Sequence, residues 1–220
     1  MLGYKNTIRI IGFDLDQTLY PKSPEIDEAI QSYLYQKIAA AKKWSIEEAE
    51  KQFKKLYRQG KGLSGGKTLQ ALGIPNGGDV VQEALERADI AEFLKPNRAT
   101  SDLLRQLKER YQAIDIITGA NRKNTAYKLE CLGIPENLFS HIITADDASK
   151  SDGSAYRQWL FLYPNNNPSS FLYVGDRVSS DHYIPSSLGI RTILANVSGK
   201  DLSVVCPQLD SLQQLANYLL

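Results

Sequence analysis

The chain has 220 residues, 42% apolar and 23% charged, which excludes disorder, a collagen helix or a coiled coil as descriptions of the whole. Twenty-six Lys and Arg oppose 25 Asp and Glu, and a net charge of +1 sets up no field aimed at nucleic acid or an anionic membrane. Cys131 and Cys206 are too few for a disulfide framework, the N-terminus lacks the apolar core of a secretion signal, and no apolar run reaches the ~18 residues of a spanning helix, so a cytoplasmic, soluble protein is expected.

The first element is a short apolar run, IRIIGFD (8–14), which reads as a buried strand ending at a carboxylate. Helices are predicted over 25–42, with Ile26, Ile30, Leu34 and Ile38 on one stripe, and after the capping pair Ser45 and Glu48. A glycine-rich loop, GKGLSGGKT (60–68), precedes a further helix at 80–91. From residue 96 helices and strands alternate. Helices fall at 98–110, 121–132, 154–162, 180–187 and 208–219, and strands at 113–118, 141–143, 171–176 and 190–195. That alternation specifies an α/β fold, a Rossmann-like parallel sheet with helices on both faces. The helical stretch after the first strand is an insertion, so residues 1–20 and 96–220 are assigned to the core and 21–95 to a helical cap.

Ligands of open parallel sheets bind beyond the carboxyl ends of the strands. The predicted strand ends carry Asp14 and Asp16, then Thr118 and Gly119, then Lys150, then Asp176 with Asp181 five residues on. Carboxylates, a hydroxyl and one ammonium at one edge suit an oxygen-loving divalent cation and a phosphoryl group. In extended backbone, residues i and i+2 point the same way. Asp14 can then attack phosphorus while Asp16 protonates the leaving oxygen and later takes a proton from water. Asp14 and Asp176 can ligate Mg²⁺, and Lys150 balances the accumulated negative charge.

FDLDQTLYP (13–21), Thr118, Lys150 and VGDRVSSD (174–181), in that order, resemble the four motifs of the haloacid dehalogenase superfamily, and CLGIPENLF (131–139) is similar to a segment common there. The resemblance implies nucleophile Asp14, acid/base Asp16, phosphate contacts from Thr118, Gly119 and Lys150, and Mg²⁺ held by the Asp14 and Asp176 carboxylates and the Asp16 backbone carbonyl. Asp181 is implied in the outer shell, orienting Lys150 or a metal-bound water. KSDGSAY (150–156) lacks the usual proline after the lysine, and Gly119-Ala120 stands where Asn often follows the hydroxyl. Dehalogenases of the superfamily lack an acid at the position of Asp16, so the resemblance points to its phosphatase branch. The insertion lies between Asp14 and Thr118, which are 104 residues apart against 32 from Thr118 to Lys150; this matches the type-one cap, which closes over a small substrate.

The LYP after the first motif and EFLKPN (92–97) look like the pyrimidine 5′-nucleotidase-like branch. The expected activity is therefore a Mg²⁺-dependent phosphomonoesterase, working through an aspartyl-phosphate on a small phosphate ester such as a nucleoside 5′-monophosphate. A sugar phosphomutase on the same core and a non-catalytic binding domain are the alternatives, and a monomer or homodimer without nucleic-acid or membrane partners is expected. Between Lys51 and Gly78 there are six basic residues and no acid. Arg58, Lys61 and Lys67, in or beside the glycine-rich loop, are candidates for reading the leaving group. The same segment mimics a Walker A loop, but Lys61 occupies the required glycine and a helix, not a strand, precedes it. His141 and His182 are too few for a zinc site; His182 is assigned to a surface helix. Tyr20 is expected to contact the site or pack the cap stem. Asp115, inside an apolar strand, is read as an edge position or a hydrogen-bonded acid.

Overall fold

The computed structural model describes residues 7–21, 23–57, 63–88, 90, 93–197 and 203–220. Five strands form one sheet in the order β3-β2-β1-β4-β5, all parallel: β1 Ile10–Phe13, β2 Ala113–Ile117, β3 Ile142–Ile143, β4 Phe171–Gly175 and β5 Arg191–Leu194. The chain leaves central β1 for β2 and β3 on one side, then crosses back to β4 and β5 on the other. Right-handed crossovers then place helices on both faces and leave a crevice at the carboxyl ends of β1 and β4.

The chain divides into two compact units, Met1–Lys22 with Leu94–Leu220, and Ser23–Phe93. The second unit is helical: α1 Pro24–Lys42, α2 Ile46–Leu56, α3 Gly65–Ala71 and α4 Gly77–Arg87. Ser23, Ser45 and Ser64 cap the first three, each side chain accepting the N–H three residues on. Its core gathers Leu34, Ile38, Phe53, Leu69 and Ile74. The glycine-rich segment departs from expectation. Gly65, Gly66 and Lys67 open α3 rather than extend a loop, because Ser64 is a good cap. A Cβ at Gly77 would lie 2.3 Å from the Gly66 carbonyl oxygen, so these glycines let α3 and α4 approach each other.

In the first unit α5 Arg98–Arg110 precedes β2 and α6 Arg122–Cys131 follows it, capped by Asn97 and Asn121. After β3 comes α7 Ser154–Phe161, whose Tyr156 and Trp159 are buried against Ile10, Ile117, Phe171 and Tyr173. Gly12 is required here: a Cβ would lie 2.7 Å from the Trp159 ring. The expected helix at 180–187 is a π-helical turn, Val178–Tyr183, running into α8 Ile184–Ser187. The expected terminal helix shrinks to a 3₁₀ turn, Leu212–Leu215, and α9 Ala216–Leu219. Its first residues pair instead with the free edge of β5, the Leu209 N–H donating to the Leu194 carbonyl at 2.8 Å.

Asp115 is wholly buried in β2, between β1 and β3, so it is a hydrogen-bonded acid and not at an edge. Its oxygens accept from the His141 N–H (2.8 Å), Trp159 Nε1 (2.8 Å) and the Tyr163 hydroxyl (2.7 Å). Burial raises its carboxyl above the usual range against the pull of these donors. Trp159→Ala is therefore expected to cost about 3–5 kcal/mol from the cavity, and somewhat more because Asp115 loses a donor; urea unfolding measures it. A loss below about 1 kcal/mol would show that the core refills.

Candidate active site

The acidic side chains of the site gather at the carboxyl ends of β1 and β4. Asp14 follows β1, and its N–H still bonds to the Val174 carbonyl (2.8 Å), so strand pairing holds its backbone. Asp176 follows β4. Lys150 sits in a turn closed by the Gly153 N–H on its carbonyl (3.1 Å), with Gly153 at φ +79°. Asp181 lies in the π-helical turn and folds back over Gly175. A Cβ at Gly175 would meet the Asp181 Cβ at 2.4 Å, so only glycine admits that approach.

One carboxylate oxygen from each of Asp14, Asp176 and Asp181 lies within 4.8 Å of the other two, and all three residues are buried. Lys150 Nζ bridges Asp14 Oδ1 (2.8 Å) and Asp181 Oδ1 (2.7 Å). Asp181 Oδ2 accepts the backbone N–H groups of Asp176 (3.1 Å) and Arg177 (2.9 Å). Asp181 Oδ1 is thus ion-paired and Oδ2 hydrogen-bonded within the protein, and the three carboxylates together could hold a cation. An all-oxygen donor set of this kind suits a hard divalent ion.

The charges divide unequally. Burial pushes the Asp14 carboxyl up to about 7; Lys150 opposes this, while Asp181, Asp16 and Asp176 add to it. Burial also acts on Asp181, but Lys150 and the turn's donors outweigh it and hold that carboxyl below its ordinary value. Lys150 is shifted upward, the two acids overcoming the effect of its burial. Without a cation, a proton taken up by the crowded pair below about pH 7 therefore sits on Asp14.

The profile of the haloacid dehalogenase-like hydrolases matches residues 8–181, which span the whole cluster. The chain belongs to this family. Among curated proteins no sequence match reaches significance. Solved structures share the fold at low identity. A phosphatase of this family from Thermococcus onnurineus has 21% identity over 96% of this chain and 97% of its own, with a TM-score of 0.69. The magnesium-bound hydrolase YfnB from Bacillus subtilis has 16% identity over 97% and 99%, with a TM-score of 0.61. A 2-haloacid dehalogenase from Pseudomonas syringae has 20% identity over 96% and 97%, with a TM-score of 0.56.

In this haloacid dehalogenase-like hydrolase the remaining candidates fall as follows. Thr118 is buried just beyond β2, its hydroxyl accepting the Ala120 N–H (3.1 Å). Gly119 is exposed, and a Cβ there would meet nothing within 4 Å, so packing does not demand glycine. Lys67 is exposed in the first turn of α3. Arg58 and Lys61 lie outside the described residues. In the basic run, Lys51, Lys54 and Lys55 are solvated on α2, and Lys54 pairs with Glu50. His182 is not a surface residue: it is buried, its Nδ1 2.6 Å from the Thr192 hydroxyl.

Asp16 does not continue the strand. The Leu19 N–H bonds back to Leu15 (3.1 Å) and Gln17 takes φ +61°, so a turn begins there. Its carboxylate Oδ1 accepts Tyr20 Oη (2.5 Å) and Lys128 Nζ (2.6 Å). Burial alone would raise the Asp16 carboxyl, but Lys128 and Tyr20 hold it below the usual range. Tyr20 thus contacts the site directly. Lys128 is absent from the sequence-derived set, since nothing in its spacing to the motifs marks it. Its one trace is the inner face of α6, where Asn124, Thr125 and Lys128 are buried beside Leu129. An inward face that polar is unusual for a helix covering a sheet.

No described helix is long and apolar enough to cross a membrane.

Proposed function

We propose that this hydrolase is a divalent-cation-dependent phosphomonoesterase of small phosphorylated metabolites. Asp14 is the nucleophile, Asp16 the acid/base, and Ser23–Phe93 the helical cap. The observation that carries this reading is Asp16: a second carboxyl, separate from the acid cluster and held by its own cation and hydroxyl. A halide leaves as a stable anion and needs no proton, whereas an alkoxide does. A held acid/base therefore favours an oxygen leaving group.

Asp14 Oδ attacks phosphorus as the bond to the ester oxygen breaks, and Asp16 gives the leaving oxygen its proton. Water then attacks phosphorus, Asp16 takes the water proton, and Asp14 is freed. At rest Asp16 is a carboxylate, so it loads its proton from the ester's own monoanion, whose second ionisation lies near about 6. Lys150 neutralises charge beside Asp14, and Thr118 and Gly119 are placed to receive phosphate oxygens at the end of β2. Mg²⁺, held by the Asp14 and Asp176 carboxylates with the Asp16 backbone carbonyl, would supply charge neutralisation at the phosphoryl group. Asp181 orients Lys150 from the outer shell, with Lys67, Arg58 and Lys61 as candidate cap contacts to the substrate. The YfnB structure with magnesium supports this choice of ion.

The test is phosphate release from p-nitrophenyl phosphate with Mg²⁺ and with EDTA, followed by a panel of nucleoside monophosphates and sugar phosphates. Turnover abolished by EDTA, and fastest on a 5′-nucleotide, is expected. Turnover undiminished by EDTA, or none across the panel, would overturn the reading.

A further inference from the structure

Lys128 is a lysine with 1% of its side chain exposed, and a desolvated ammonium persists only beside an anion. Among the described residues the carboxylate it meets is Asp16, 112 residues away in sequence and 21% exposed. A methionine would fill the same space without the cost of burying a charge. The two donors on Asp16 differ in what anchors them. Tyr20 belongs to the same turn as Asp16, whose backbone is held where the Gln17 and Thr18 carbonyls accept from Asn196 Nδ2 (2.9 and 3.0 Å). Lys128 projects from α6, a helix capped by Asn121 Oδ1 on the Asn124 N–H (2.8 Å) and joined directly to β2. Both reach Oδ1, and neither takes Oδ2.

We propose that Lys128 is the positioning residue of the acid/base group: it ties Asp16 Oδ1 to the sheet through α6 and leaves Oδ2 to exchange the proton. The assignment rests on the phosphomonoesterase reading. As the Asp14 oxygen–phosphorus bond forms and the ester phosphorus–oxygen bond breaks, the proton on Oδ2 passes to the leaving oxygen, giving the free alcohol. When water attacks and the Asp14–phosphorus bond breaks, Oδ2 receives the water proton and then gives it up to the departing phosphate or to solvent, which restores the resting carboxylate. The Asn196 contacts hold the backbone of the turn and do not touch the Asp16 carboxyl, which Tyr20 and Lys128 hold, and proton transfer requires hydrogen-bond reach to the reacting oxygen.

The experiment measures kcat and KM of Lys128→Met and Lys128→Arg, each alone and combined with Asp16→Asn. The substrates are aryl phosphates of increasing leaving-group basicity and one alkyl phosphate. Lys128→Met is expected to lower kcat about 10²-fold on the alkyl ester and less than about 10-fold on the most acidic phenol, with KM nearly unchanged. Lys128→Arg should recover most of the loss, and Lys128→Met should add nothing in the Asp16→Asn background. An equal loss across the series, or a further loss beside Asp16→Asn, would mean that Lys128 serves packing and would overturn this assignment alone. If the wild type hydrolyses no ester, both this assignment and the phosphatase reading fall. Should Lys128→Met not fold, Lys128→Gln, which keeps a donor and loses the charge, is taken through the same series with the same deciding outcomes.

Discussion

Asp14→Asn will lower phosphate release by about 10⁴-fold or more while making the cation-free protein more stable in mild alkali. The first effect follows because an amide cannot form the acyl phosphate that hydrolysis consumes. The second follows from linkage. The Asp14 carboxyl titrates near 7 in the folded chain, raised by burial and by three neighbouring acids against the effect of Lys150, while an unfolded aspartate titrates near 3.8. Between those values the native state holds the extra proton, so wild-type stability falls as pH rises through that window. Asparagine has no such proton to lose. The variant's advantage should be near zero at about pH 4 and complete above about pH 8. It should be on the order of a few kcal/mol, or roughly 5–10 °C in Tm. Thermal melts in EDTA at both ends of the window decide it. A variant less stable than wild type in alkali would mean that Lys150 already compensates the Asp14 charge. Added Mg²⁺ should raise the wild-type Tm and leave that of Asp14→Asn little changed.

Lys150→Met should be the most damaging single change to the site's electrostatics. Lys150 lies 2.8 Å from Asp14 and 2.7 Å from Asp181, and its removal leaves Asp181 wholly buried without its cationic partner. Breaking a buried pair from one side costs about 3–5 kcal/mol. The pH dependence has a definite sign. Burial raises the Asp181 carboxyl, Lys150 and the turn donors lower it further than that, and the net depression stabilises the fold above the ordinary aspartate range. That contribution disappears as pH falls through the folded value. The variant's deficit should therefore be large at neutral pH and small in acid, where both carboxyls are protonated. Urea midpoints at about pH 7.5 and about pH 2, below the ordinary aspartate range, measure the difference. A deficit equal at both would assign the loss to packing. Turnover should fall by about 10²–10³-fold.

What could be read from the sequence was local and periodic. The apolar run before Asp14 sets a buried strand, because few polar atoms interrupt it. The alternation after residue 96 specifies a parallel sheet, because each strand must be returned to the same edge by a helix. Asp14, Thr118, Lys150 and Asp176 fall after those strands, so their shared edge follows from topology without any knowledge of side-chain contacts. The cap residues were less legible. A glycine-rich stretch has the same composition whether it approaches a ligand or another helix, and here the Ser64 cap and the contact of Gly66 with Gly77 decided for the helix.

The tertiary structure alone decided which charges meet. Asp115 and Asp16 are both aspartates close to apolar runs, yet one is sealed among Trp159, Tyr163 and the His141 amide, and the other faces Lys128 and Tyr20. The division of the acid cluster, with Asp14 shifted up and Asp181 held down by one shared ammonium, depends on ångström-scale distances between residues far apart in the chain. Lys128 is the extreme case. Its position on α6 is fixed by local helix formation, but its ion pair spans 112 residues and exists only because β1 and β2 lie side by side. Periodicity encodes which face of an element is buried; it does not encode the partner on the other side, and a charge's chemistry is set by that partner.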